Sequence, residues 1–172
     1  MARRPKHRQQ SFVFEVTRRC NHECPHCYNA WKNPGDYAPD ELPTDQTLAV
    51  LDRMLDQTGA RLVTISGGEP LLRDDIFDIV DHLAARGVTV NFLTNGSLMN
   101  DTAIARLSED DKVSIFELPL LSVERAIHDE MSGRAGAFDD VTLAIASLKA
   151  ARQRVVTVFV ATKQNLHTWK RT

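Results

Sequence analysis

A fourth cysteine is missing from this sequence. Its 172 residues hold only three, Cys20, Cys24 and Cys27, all within eight positions. Three cannot all pair with one another, and the N-terminus lacks the apolar segment of a secretion signal, so no disulfide framework is expected. Also absent is any apolar run near the roughly 18–20 residues that a membrane span needs. Neither sign of charge is in excess. The 21 Lys and Arg stand against 23 Asp and Glu, a net charge of −2, which leaves no basic surface of the kind that nucleic acid requires. There is no internal repeat, low-complexity tract or domain boundary. What is present, 42% hydrophobic and 26% charged residues, is the composition of a soluble domain with a real core. The basic stretch 1–10 reads as a flexible tail and residues 11–172 as a single domain. Clustered thiols in such a chain bind metal more often than they cross-link, and the expected compartment is the reducing cytoplasm.

Hydrophobic patterning gives five strands separated by helices. The strands are expected at 11–17, 61–66, 88–94, 112–118 and 154–161, each rich in β-branched and aromatic residues. The last, Arg154 to Ala161, has the near-continuous apolar character of a parallel strand buried on both faces. Helical periodicity follows Thr44, read as an N-cap, with Leu48, Leu51, Met54 and Leu55 on one face and Gly59 closing the helix. A second helix starts near Asp74 or Asp75 and buries Ile76, Ile79, Val80 and Leu83. A short third helix spans 101–108, and a fourth runs from about Asp139 to Ala151. Residues 18–43 have no sustained period and read as a long loop, and 120–138 are mixed.

Alternating strands and helices imply a parallel α/β sheet. Unusual residues follow every strand: the cysteines after the first, Gly67-Gly68-Glu69-Pro70 after the second, Thr94-Asn95-Gly96 after the third. Leu120-Leu121-Ser122 follows the fourth and Thr162 to Asn165 the fifth. An open doubly wound sheet concentrates ligand contacts at one switch point, whereas a barrel gathers all its strand ends on one rim. Five decorated ends therefore point to an incomplete, TIM-like (β/α) partial barrel with outer helices. A full barrel needs roughly 250 residues, so the domain reads as C-terminally incomplete, either truncated or covered at its open edge by another chain.

The cysteine spacing, Cys20-x3-Cys24-x2-Cys27, brings three thiolates onto one tight loop. A zinc site would need a fourth ligand, which His22 or His26 could supply. A cuboidal iron–sulfur cluster held by three cysteines leaves one iron open to a ligand from outside the protein.

This cysteine motif, joined to Gly67-Gly68-Glu69-Pro70 at the end of the next strand, resembles the radical S-adenosylmethionine (radical SAM) enzymes. The resemblance runs from Phe14 to about Asn165. Thr94-Asn95-Gly96, His128 to Gly133 and Gly136-Ala137-Phe138 resemble the subgroup that carries a C-terminal SPASM extension, which is absent from the 172 residues. The resemblance implies a 4Fe–4S cluster on Cys20, Cys24 and Cys27, with its open iron chelated by SAM. It further implies reductive cleavage of SAM to a 5′-deoxyadenosyl radical that takes hydrogen from a substrate. By analogy that substrate is a peptide or protein side chain, and the electron comes from an external flavodoxin- or ferredoxin-like donor. A remnant that binds the cluster or a partner without turnover, and a small zinc protein, are the alternatives.

Roles follow residue by residue from the same resemblance. Gly67 to Pro70 would bind the SAM amino group, with exposed N–H groups and no side chain to block its approach. Glu69 could instead be a solvated helix-start carboxylate. His26 would stack beside the adenine. Thr94 and Asn95 would face the ribose or substrate, or simply end a strand. Ser122 and, equally, Asn165 correspond to polar positions near the nucleoside. Apart from the resemblance, Arg18 and Arg19 read either as a solvated charge pair or as an offset to the cluster's negative charge. His82, His128 and His167 show no partner in the sequence.

Overall fold

In the computed structural model, residues 11–28 and 41–172 are described. The basic tail and residues 29–40 of the long loop lie outside them. Five parallel strands, β1 (Ser11–Glu15), β2 (Leu62–Ser66), β3 (Thr89–Leu93), β4 (Val113–Pro119) and β5 (Val155–Val158), pair in the order β1-β2-β3-β4-β5. Between them run α1 (Thr44–Thr58), α2 (Ile76–Ala85) and α3 (Asp101–Ser108), then α4 (Arg125–Ser132) and α5 (Ala137–Ala150). A doubly wound sheet reverses its strand order, and this one never does. Right-handed crossovers then leave the helices on one face, which is the arc of a partial barrel.

Strand alternation separates the two faces. Val63, Ile65, Val90, Phe92, Phe116 and Leu118 are buried in one core with Leu51, Leu55, Ile79, Leu83, Leu107, Val141 and Leu148 from the helices. On the opposite face the register sets Val13, Thr64, Asn91 and Ile115 at one level and Leu93, Glu117 and Val156 at the next. All seven are at least partly exposed. The concave face is therefore open and carries polar groups.

Three expectations change. The N-cap position of α1 is Pro43, while Thr44 is the first helical residue and donates its hydroxyl to Asp75 Oδ2 at 2.6 Å. Residues 125–132 form α4, whose buried residues are His128, Met131 and Ser132. That face is too polar for an apolar-periodicity reading to register. β5 is shorter than expected and is not buried on both faces: Val156 is 46% and Val158 39% exposed. It is an edge strand, paired only to β4 among the described residues.

A buried guanidinium ties these layers together. Arg73 donates to the carbonyls of Val16 at 2.9 Å and Leu42 at 3.0 Å, and makes a two-pronged pair with Asp75 at 2.6 and 2.8 Å. Its hydrogen bonds hold the Asp75 carboxyl down to about 2. The end of β1, the start of α1 and the start of α2 are thus fixed to one planar group, which suits a fork of donors in rigid geometry.

Phe92 is fully buried at the centre of the sheet. Phe92→Ala should cost about 3–5 kcal/mol, seen as a lower midpoint in urea-induced unfolding followed by circular dichroism.

Candidate functional site

Pairing between β1 and β2 does not stop where the strands end. Val16 N–H donates to Ser66, Gly68 N–H to Thr17 at 2.8 Å, and Glu69 N–H to Arg19 at 2.7 Å. The backbone leading into Cys20 therefore lies directly against Gly67-Gly68-Glu69. No side chain fits between them. A Cβ on Gly67 would stand 2.4 Å from the Thr17 carbonyl oxygen, and one on Gly68 would stand 2.0 Å from that of Arg19. On the other side of the loop, Gly133 (φ +61°) closes α4, and a Cβ there would stand 2.2 Å from the Glu23 carbonyl oxygen. The cysteine loop is held between these two glycine contacts. Cys24 donates its thiol to the Ser132 carbonyl at 3.4 Å, and the Cys27 N–H closes a turn onto Cys24 at 3.1 Å.

This corrects the expectation that the segment exposes its N–H groups. The N–H groups of Gly68 and Glu69 are spent on the chain itself. The room left by the missing Cβ atoms holds the cysteine loop's own backbone.

Glu69 is not a solvated carboxylate. It is fully buried, with Oε1 accepting from Leu71 N–H at 3.1 Å and Thr94 Oγ1 at 2.9 Å, and Oε2 accepting from Asn95 N–H at 2.7 Å. Burial pushes its carboxyl up to about 7 against those three hydrogen bonds. Thr94 is buried beside it and takes the Gly96 N–H. Together they fasten the end of β3 to the end of β2.

Asn95 turns toward the cysteines. Its Oδ1 accepts from Ser97 N–H at 2.9 Å and Ser97 Oγ at 2.6 Å. Its Nδ2 donates to Asn21 Oδ1 at 2.8 Å and to Cys20 Sγ at 4.0 Å. Asn21 Nδ2 completes a ring by donating to Ser97 Oγ at 2.8 Å. Asn21 and Ser97 went unnoticed in the sequence, although each lies beside a motif residue.

The remaining candidates divide. His26 is half-buried, as are the three cysteines. Arg19 pairs with Glu41 through Nε at 3.0 Å and Nη2 at 3.1 Å, so its charge is already matched; Thr17 donates to the same carboxylate. Ser122 is fully buried, donates to Thr168 Oγ1 and accepts from Glu124 N–H. Asn165 is also fully buried, donating to Leu121 and Val160. Both hydrogen-bond within the fold. The three histidines do have partners: Asp52 for His82, Leu121 N–H for His128 and Glu124 for His167. His22 is buried with Nε2 at 3.3 Å from Arg134. Among the described residues, no three His, Cys, Asp or Glu side chains gather closely enough to hold one metal ion. A single tetrahedral zinc demands that gathering, whereas a cuboidal cluster spreads its cysteines over separate irons. A cavity of about 350 Å³ between β1 and α1 has none of the cysteines in its wall.

The model of the Radical SAM superfamily matches residues 14–172. The chain belongs to that superfamily. The family's cofactors, a 4Fe–4S cluster and SAM, are the ones the resemblance implied. Mycofactocin maturase MftC of Mycobacterium ulcerans is 35% identical over 139 residues, which are 81% of this radical SAM chain and 36% of MftC. AdoMet-dependent heme synthase of Nitratidesulfovibrio vulgaris is 29% identical over 92% of the chain and 42% of its own length. SuiB of Streptococcus suis, solved with precursor peptide SuiA, shares the fold. Its TM-score is 0.78 at 18% identity, over 93% of the chain and 35% of SuiB. The chain thus spans about two-fifths or less of these relatives. Among the described residues, no helix is long and apolar enough to cross a membrane.

Two measurements check the site's physical basis. Gly68→Ala should lose roughly 2–4 kcal/mol in chemical denaturation, because backbone must move. Gly87→Ala, at φ +68° with nothing within 4 Å of its Cβ, should lose only about 1–2 kcal/mol of backbone strain. Because Glu69 gains a proton more readily when folded, its stabilising contribution is full below its ordinary value of 4.5. That contribution should decline as pH rises through about 7. Stability measured across this range should show the decline, and Glu69→Gln should flatten it.

Proposed function

We propose that this chain is the cluster-bearing core of a radical SAM enzyme acting on a peptide or protein side chain. The observation that carries the reading is the clasped loop. Three half-buried thiols sit on a backbone fixed from both sides, with no fourth cysteine in the sequence to close the set. Cys20, Cys24 and Cys27 would hold a 4Fe–4S cluster whose fourth iron is left to SAM. When bound, the cluster supplies the electron that cleaves SAM to the radical species.

The chain's own residues bind and orient. Gly67 and Gly68 remain half-exposed, and with the N–H groups of Gly68 and Glu69 committed inward the segment to Pro70 would meet the SAM ammonium through its carbonyls. The Glu69 side chain would hold that segment to Thr94 and Asn95 instead of touching the ligand. His26, on the loop, would lie against the adenine. The open concave face, with Thr64, Asn91, Leu93 and Glu117 partly exposed below the cysteine rim, would receive the substrate. The SuiB structure bound to a precursor peptide supports the peptide assignment. The electron would come from a flavodoxin- or ferredoxin-like donor.

Anaerobic reconstitution with iron and sulfide should give about four irons per chain, and reduction with SAM should release 5′-deoxyadenosine. Iron uptake without cleavage would make the chain a non-catalytic cluster module. Zinc uptake without iron would refute the reading.

A further inference from the structure

The ring of Asn95, Asn21 and Ser97 leaves no freedom in how the Asn95 amide faces. Ser97 offers a backbone N–H, which can only donate, so the atom opposite it must be Oδ1. The Asn95 NH₂ is thereby turned the other way, toward Asn21 Oδ1 and Cys20 Sγ. Asn21 is locked in turn, with Oδ1 receiving from Asn95 and Nδ2 giving to Ser97 Oγ. The Asn95 backbone is pinned as well, through its N–H to buried Glu69. Side chain and backbone are both fixed before anything binds. At 4.0 Å, the N–H to sulfur contact is at the long end for such a bond, but the amide has no other direction in which to point.

We propose that Asn95 is a positioning residue that sets the reduction potential of the cluster through the Cys20 sulfur. It does not serve as a nucleoside contact. This rests on the three cysteines holding the cluster. Reduction adds negative charge that is shared with the thiolates, and a fixed N–H donor at one of them stabilises the reduced form more than the oxidised form. Cys20 Sγ takes the Asn95 N–H, and Cys24 Sγ stands 3.4 Å from the Ser132 carbonyl.

The test is an EPR-monitored redox titration of the reconstituted chain and its variants, with iron content measured in each. Asn95→Ala should load iron as the parent chain does. At a fixed poise it should show a ratio of reduced to oxidised cluster roughly three- to fivefold lower, the effect of one lost long N–H donor. Ser97→Ala removes the Oγ contacts that brace Asn95 and Asn21 but keeps the backbone N–H that orients the Asn95 amide, and should fall between the parent and Asn95→Ala. Asn95→Asp, nearly isosteric but without the donor, should lie at or below Asn95→Ala. Parent-like potentials in loaded Asn95→Ala and Asn95→Asp would overturn the inference. Should Asn95→Ala fail to load, Asn95→Asp decides by the same titration, and a parent-like value there would overturn it. A parent chain showing no reduced-cluster signal at any potential would refute the proposed function, and this inference with it.

Discussion

Everything at the rim of this sheet depends on backbone touching backbone without a side chain between. Gly67 and Gly68 let the residues before Cys20 lie against the end of β2, and Gly133 lets α4 come up under Glu23. A loop between a strand and a helix normally wanders over the surface and carries high conformational freedom. Here the two contacts remove that freedom over the segment that bears the thiols. Neighbouring groups complete the frame. Buried Glu69 joins β2 to β3, Arg73 joins the end of β1 to α1 and α2, and Asp129 accepts from the N–H groups of Gly136 and Phe138 at the start of α5. The polar residues at the rim are mostly spent on each other, which makes the loop a preorganised platform.

That economy explains why the concave face stays free. The helices cover the other face and satisfy the apolar half of every strand. The strand order, advancing one neighbour at a time, keeps all five C-terminal ends on a continuous arc. Chemistry placed on the first strand end is therefore within reach of groups from the second and third, as the contacts of Glu69, Asn95 and Asn21 show.

Much of this was legible in the sequence. The element order, the partial barrel, the grouping of the cysteines and the family resemblance all rest on local patterns and motifs, which survive in one dimension. The partners did not. A glycine required for close packing looks the same as one required for ligand approach, so the clasp that Gly67 and Gly68 make on residues 17–19 was not legible. Asn95 is 75 residues from Cys20, and nothing local announces that its amide turns back to that sulfur. α4 was missed because His128 and Ser132 make its buried face polar. Ser122 and Asn165 were read as polar positions near the nucleoside from their place after strands; that both are fully buried was not legible there. The apolar run of the fifth strand suggested two covered faces, yet hydrophobicity alone does not distinguish an edge from an interior position.

The central claim is that the clasped loop presents three thiolates to a cluster whose fourth iron is left for SAM. EPR spectroscopy of the reduced, reconstituted chain, recorded with and without SAM, tests it most directly. Binding of SAM at the open iron should change the g-values of the reduced 4Fe–4S signal. A spectrum that stays the same with saturating SAM would contradict the account.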